Sequence, residues 1–196
     1  ILELSTYRLP MALPHPNPSG FMMSTMSAQT VGSEHWKTDE ERKQVADFIK
    51  TFRPEWKLPE GKFSEWHVLG LDAKANPAAF YYDKPLVILQ DSSSFSASDI
   101  FLGAFEDHPN TTQMGAPSGG GNGWMEPYQL PNTGLGFILC QSAKFRPNGK
   151  LYDGRGIAPD ILMEATPEDL LGKSDTVLDA AVKRLKEGAA KTASGQ

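Results

Sequence analysis

The residue types best suited to chemistry in this chain are the serines of residues 86–107, LVILQDSSSFSASDIFLGAFED. A β-favouring run, Leu86-Val87-Ile88-Leu89, ends at Asp91, and the serines follow it. Then comes a helical stripe of Ala97, Ile100, Phe101, Ala104 and Phe105. The pattern predicts a strand, a tight turn and a helix, with Ser96 at the turn. A helix start leaves backbone N–H groups unpaired, and these favour negative charge. A hydroxyl there can act as a nucleophile, and the N–H of Ala97 can hold the charge that develops on an attacked carbonyl. The same four residues, Ser96-Ala97-Ser98-Asp99, also fit a capping box with no chemistry beyond the cap. These residues alone leave both readings open.

The elements that would position Ser96 can be followed along the chain. Residues 1–36 are rich in X-Pro pairs (Leu9-Pro10, Leu13-Pro14, His15-Pro16, Asn17-Pro18), which force extended or turn conformations. They read as a connector from a preceding part of the molecule. Thr38-Asp39-Glu40-Glu41 opens a helix with the stripe Val45, Phe48, Ile49 and Phe52, which Pro54 stops. Phe63, Trp66, Val68 and Leu69 suggest a strand, and Thr111 to Gly115 a short one. Gly115-Ala116-Pro117-Ser118-Gly119-Gly120-Gly121-Asn122-Gly123 is the most glycine-dense stretch. Its glycines permit positive φ and close backbone approach, which suits a peptide lying along Gly119, Gly120 and Gly121; a plain flexible loop is the alternative. Tyr128–Leu130 and Leu135–Phe145 read as strands around a Pro131–Gly134 turn, and residues 137–140 are apolar on both parities, as in a strand covered on both faces. Thr166-Pro167-Glu168-Asp169 starts a short helix. Ser174 or Asp175 caps the last one, with the stripe Val177, Leu178, Ala181, Val182 and Leu185, ended by Gly188 and followed by a loose tail, residues 189–196.

Composition narrows the functions. The chain has 196 residues, a net charge of −5 and no basic stripe, which argues against a nucleic-acid partner. No apolar run reaches the roughly 20 residues of a membrane span. Its one cysteine, Cys140, excludes an internal disulfide framework and a cysteine zinc cluster, and its apolar neighbours predict a buried, inert thiol. The histidines His15, His35, His67 and His108 have no metal-ligand spacing. No cofactor or metal is expected. Asp107 and His108 lie eleven and twelve residues beyond Ser96, about 16 Å or more along one helix, too far to bond its side chain. Lys144 falls on a predicted strand, where a solvated lysine is the simpler reading.

Four segments together resemble the C-terminal processing peptidases, the family of tail-specific proteases, the tricorn core and the interphotoreceptor retinoid-binding proteins. They are residues 84–89 leading to Phe95-Ser96-Ala97-Ser98-Asp99, the glycine loop 115–123, Asn148-Gly149-Lys150 with Gly156-Ile157-Ala158-Pro159-Asp160, and the closing helix 175–187. The resemblance covers roughly residues 80–187. It implies an α/β fold, a ClpP/crotonase-like superhelix of β-β-α units, present here as an incomplete domain. On this reading residues 1–36 connect from a missing N-terminal part, residues 37–188 are the C-terminal part of the catalytic domain, and residues 189–196 are a flexible tail.

The resemblance further implies a serine-type peptidase acting on polypeptides through an acyl-enzyme on Ser96, with Ala97 N–H as an oxyanion donor. Tail-specific proteases carry a lysine base 25 residues beyond the serine; that position here is Gly121, so a Ser–Lys dyad is absent. The tricorn-like branch uses a histidine from an earlier part of the domain and an acid near the place of Asp153. The expected base is therefore a histidine outside this chain, with Asp153 as its orienting acid. The expected partners are a polypeptide substrate and the missing part of the domain, with oligomerisation open and an extracytoplasmic setting favoured. The rival expectation is a non-catalytic peptide- or ligand-binding domain on the same fold. An acyl-CoA enzyme of the crotonase type is disfavoured, because those do not place a serine at a strand–helix turn.

Overall fold

The structure, a computed structural model, describes residues 1, 3–8, 29–31, 38–70 and 82–194, in two compact units. The first comprises residues 1–79 and 122–153, the second residues 80–121 and 154–196.

The first unit is built on a four-stranded antiparallel sheet in the order β2-β3-β1-β8, where β1 is Glu3–Tyr7, β2 Gln29–Val31, β3 His67–Gly70 and β8 Ser142–Phe145. Leu4 lies opposite Val68 on one side and Phe145 on the other, so these three form the centre of its core. Helix α1 (Asp39–Thr51) adds the predicted stripe, Val45, Phe48, Ile49 and Phe52, to that cluster. Thr38 and Glu41 form the reciprocal cap that its sequence called for. Phe52 and Trp66 meet edge-to-face with centroids 5.1 Å apart, and Phe145 meets Trp66 the same way at 5.6 Å.

Three sequence expectations change here. Residues 3–7, inside the expected connector, form an internal strand of the sheet; the rest of residues 9–28 and 32–37 lies outside the described residues. The long strand expected to end at Phe145 breaks at Gln141 into β7 (Gly136–Cys140) and β8. Among the described residues β7 pairs only with β6 (Met125–Gln129), as a two-stranded ribbon. Residues 137–140 are exposed rather than covered on both faces, with Ile138 at 62%, and Cys140 is exposed with them. A run apolar on both parities does not by itself specify a covering layer: among the described residues these side chains form an exposed apolar ribbon.

The second unit holds a parallel sheet, β4 (Leu86–Gln90), β5 (Thr111–Gly115) and β9 (Ile161–Leu162), in that order. Helix α2 (Ala97–Ala104) connects β4 to β5, as a parallel pair requires. Its buried residues are Asp99 and Leu102, whereas Phe101, on the expected stripe, is 53% exposed and meets Phe105 with the rings tilted by 56°. Helix α3 (Pro167–Leu170) has proline in its first turn and Thr166 as its cap. Asp169 is bonded to Thr166 N–H, Ser174 Oγ, and Thr176 N–H and Oγ1, so one carboxylate joins α3 to the start of α4 (Thr176–Ser194). These donors hold its carboxyl well below the usual carboxylate range. Gly188 does not end α4, which continues through Ala189, Ala190 and Ala193 to Ser194. A glycine inside a helix costs only about 1 kcal/mol, and the alanines around it are strong helix formers.

Candidate active site

Gln90 ends β4 as a buried residue, its amide bonded to the carbonyls of Ala116 and Ile157. The chain then turns sharply. Asp91 Oδ1 accepts from the N–H groups of Ser93 and Ser94, and Ser94 Oγ accepts from Asp91 N–H. Those serines are turn-formers. Ser96 is different: it is exposed, and its backbone stands at φ +62°, ψ −114°. A non-glycine residue there costs roughly 1–3 kcal/mol and persists only where its surroundings impose it. A nucleophile at a strand-to-helix turn is held in this way, with its oxygen pushed outward.

The bonds around Ser96 show what imposes the strain. Ser96 and Asp99 stand in the reciprocal arrangement of a capping box, but the hydroxyl makes no cap hydrogen bond; Asp99 N–H donates to the Ser96 carbonyl, at 2.9 Å. The cap expected from the sequence is therefore carried by the acid, since Asp99 Oδ2 accepts Ser96 N–H at 2.8 Å. Ser98 N–H goes to the Phe95 carbonyl, and Ile100 N–H to that of Ser96. Of the amides opening α2, Ala97 N–H alone has no acceptor among the described residues, and Ala97 is exposed. One free hydroxyl and one free amide hydrogen thus stand side by side at a helix start.

Asp99 has a larger part than sequence reasoning gave it. It is fully buried, and four donors converge on it. Oδ1 accepts from Ser118 Oγ at 2.6 Å and Gly120 N–H at 3.1 Å, and Oδ2 accepts from Ser96 N–H and from Gly121 N–H at 3.1 Å. One carboxylate therefore fastens the nucleophile turn to the glycine loop. The sequence signal was the acid three residues after Ser96, which reads equally as a local cap.

The glycine loop is correspondingly fixed. Gly119 N–H donates to the Ser94 carbonyl at 2.8 Å, and those of Gly120 and Gly121 are held by Asp99. The loop also zips onto the Gly156–Asp160 segment: Ser118 N–H donates to the Ile157 carbonyl, Ile157 N–H to Ser118 Oγ, and Gly154 N–H to the Gly120 carbonyl. Gly120 needs its positive φ of +65°, and a Cβ there would fall 2.3 Å from Gly156 N. Asp160 completes the join by accepting Gln113 N–H at 2.8 Å. The close approach that the glycines allow is thus to the chain's own backbone and, at Gly119 and Gly121, to the ring of Phe95.

The other sequence candidates fall elsewhere. Asp153 belongs to the first unit, where its Oδ1 accepts the N–H groups of Asn122 and Gly123 at 2.8 and 3.0 Å. Its Oδ2 is buried with no hydrogen-bond partner among the described residues. Lys144 is in the same unit, 3.1 Å from Glu3, which is buried and also accepts from Asn122 Nδ2 at 2.7 Å. Burial raises the Glu3 carboxyl above its ordinary value despite the opposing pull of Lys144. His108 Nδ1 lies 3.0 Å from Thr111 Oγ1, at the end of α2 away from Ser96, and His67 is on β3. His15 and His35 lie outside the described residues. Among the described residues no three histidine, cysteine or acidic side chains group as metal ligands.

Comparison with known proteins gives a consistent result. The family model described as peptidase family S41 matches residues 20–163. A protein of Chlamydia pneumoniae is 32% identical over 106 residues, covering 53% of this chain and 17% of its own length. The carboxy-terminal-processing protease of Bartonella bacilliformis is 31% identical over 102 residues, covering 52% of this chain and 23% of the protease. This chain therefore matches less than a quarter of the length of either relative. Among solved structures, that of a candidate peptidase from Parabacteroides merdae superposes with a TM-score of 0.53 at 26% identity, over 63% of this chain and 38% of the other.

Proposed function

Because the chain belongs to peptidase family S41, we propose that it carries the nucleophile of a serine-type endopeptidase, and that the intact protein cleaves polypeptides through an acyl-enzyme on Ser96. The observation that carries this reading is the strained, exposed Ser96 with an unbonded hydroxyl, next to the unbonded N–H of Ala97. In the reaction Ser96 Oγ attacks the peptide carbonyl carbon as a base takes its proton. The carbonyl oxygen gains negative charge and accepts from Ala97 N–H. Collapse expels the amine, protonated by the same base, and water then hydrolyses the acyl ester.

The base is a histidine outside this chain, and Asp153 is the acid that orients it. Supporting this role, Asp153 holds one buried carboxylate oxygen without a donor among the described residues. Of the glycines expected to border the peptide, Gly119 is exposed and does so by its surface; Gly120 is buried against Gly156, Gly121 is packed on Phe95, and all three N–H groups are already engaged. An extracytoplasmic setting belongs to the same reading and rests on the likeness to C-terminal processing peptidases; among the described residues, no helix is long and apolar enough to cross a membrane.

A fluorophosphonate probe tests the nucleophile. The expected result is a covalent adduct on Ser96, lost in Ser96→Ala; no adduct, with a control protease labelled in the same tube, overturns the assignment. The 196-residue chain by itself is expected to turn over casein poorly. Vigorous cleavage abolished by Ser96→Ala would refute a base outside this chain. Binding without turnover is the second reading, favoured by Gly121 at the loop position where Ser–Lys relatives keep their base. It predicts peptide binding that survives Ser96→Ala in a protein that never reacts with the probe.

A further inference from the structure

Phe95 immediately precedes Ser96, and its ring lies on the glycine loop. A Cβ built on Gly121 would stand 2.0 Å from Phe95 Cζ and 2.2 Å from Cε2, and one on Gly119 would stand 2.6 Å from Cδ2. The Cδ2–Cε2–Cζ edge of the ring is therefore seated against bare backbone, and only glycine at these two positions leaves room for it. The seat is close to the nucleophile, because Gly121 N–H and Ser96 N–H share one acceptor, Asp99 Oδ2. The loop is held to the turn a second time, by Gly119 N–H on the Ser94 carbonyl. The ring's position is consequently fixed by the same bonds that hold Ser96 in its strained conformation.

The rest of the ring is open. Phe95 is 49% exposed, beside an exposed Ser96 and an exposed Ala97. An aromatic ring held along one edge and otherwise half exposed is a preorganised apolar platform: it meets a partner without first losing rotamer freedom.

We propose that the exposed part of the Phe95 ring is a specificity surface of the Ser96 site, seating an apolar side chain of the peptide next to the bond under attack. This rests on Ser96 being the nucleophile. A charged side chain at that position gains nothing from the ring and loses hydration beside it. An aromatic or branched aliphatic one buries area against it, which corresponds to about a tenfold preference in rate.

The test uses peptidyl diphenyl phosphonates that differ only in the residue attached to phosphorus, a leucine or phenylalanine analogue against an aspartate analogue. Rates of Ser96 adduct formation are followed by intact-mass spectrometry on the full-length protein, which supplies the base. The unsubstituted chain should react about tenfold faster with the apolar probes. Phe95→Leu should keep most of that ratio, and Phe95→Gln and Phe95→Ala should bring it close to one. The leucine and glutamine variants both fill the seat, so their comparison decides the matter even where the alanine variant melts. Adducts that form with an unchanged ratio in Phe95→Gln overturn the role of Phe95 and leave the nucleophile standing. Failure of every phosphonate, together with failure of the small fluorophosphonate, overturns the nucleophile and this inference together.

Discussion

Replacing Asp99 by asparagine keeps the shape of the side chain and turns one of its two acceptor oxygens into a donor. The structure offers the new NH2 group two placements. Toward Ser96 and Gly121 it would face two backbone N–H groups, leaving both unpaired in a buried place. Toward Ser118 and Gly120 it could give a hydrogen to Ser118 Oγ, but Gly120 N–H would lose its acceptor, and Ser118 Oγ already accepts Ile157 N–H. The second is less damaging, and it still strands one buried amide and replaces charge-assisted bonds with neutral ones. At about 1–3 kcal/mol for a stranded donor and about 1 kcal/mol for the weakened bonds, Asp99→Asn should cost roughly 2–4 kcal/mol. Against total stabilities of about 5–15 kcal/mol that is a large fraction, and it should lower the urea midpoint by about 1–2 M. The assay is urea unfolding followed by far-ultraviolet circular dichroism, because tryptophan fluorescence reports on the other unit: Trp56, Trp66 and Trp124 all belong to it. Amide hydrogen exchange supplies the local reading. Ser96, Gly120 and Gly121 should lose protection, whereas Ala97, with no acceptor among the described residues, should exchange rapidly in both proteins. An unmoved midpoint, with those three amides as protected as before, would refute the view that this carboxylate holds turn and loop together.

Three further outcomes follow from the same geometry. Ser96→Gly should raise stability by about 1 kcal/mol while abolishing probe labelling, since glycine adopts a positive φ without strain; a melting temperature that falls would show that no strain is stored there. Gly121→Ala should cost about 1–3 kcal/mol by collision with the Phe95 ring, and much less when combined with Phe95→Ala, because Gly121 itself does not need a positive φ. Additive effects in that double-mutant cycle would show that the ring does not sit on the loop. Glu3 gives a pH dependence whose sign can be worked out. Burial raises its folded-state pKa above the ordinary value of 4.5, so the folded protein holds the proton longer and stability declines as pH rises through that window. Urea midpoints from pH 4 to 8 should lose this component in Glu3→Gln, and a slope unchanged by the substitution would contradict it.

What the sequence made legible, and what it hid, follows from how far each signal reaches along the chain. Helix α1 could be read completely, because its cap lies three residues from Glu41 and its stripe repeats every three or four. The turn at Ser96 was visible for the same reason. Burial was not: α2 is eight residues long, and its deepest side chain is an aspartate. A short helix offers too few turns for periodicity to point to the correct face, and apolar patterning cannot find a buried acid. The donors that justify burying Asp99 lie 19 to 22 residues away. The ribbon of β6 and β7 failed in the opposite direction, since a run apolar on both parities promised a covered strand.

Asp99 shows why these failures gather at the site. A capping acid and a residue that locks a loop onto a nucleophile have the same letter at the same spacing, and only the second requires Ser118, Gly120 and Gly121 to arrive from elsewhere in the chain. The glycines then take on a physical meaning that their density alone did not carry. Gly120 is there for a backbone conformation and for the backbone of Gly156, and Gly121 for the ring of Phe95. A loop rich in glycine is ordinarily the most mobile part of a chain, and here it is among the most constrained, with the N–H groups of residues 119–123 all bonded. Ser96 can remain strained because these bonds form together: relaxing its backbone would break Ser96 N–H from Asp99 and release the carboxylate that also holds the loop. The strain is therefore a property of the assembled turn and loop, which is why no inspection of Ser96 and its neighbours in sequence could have revealed it.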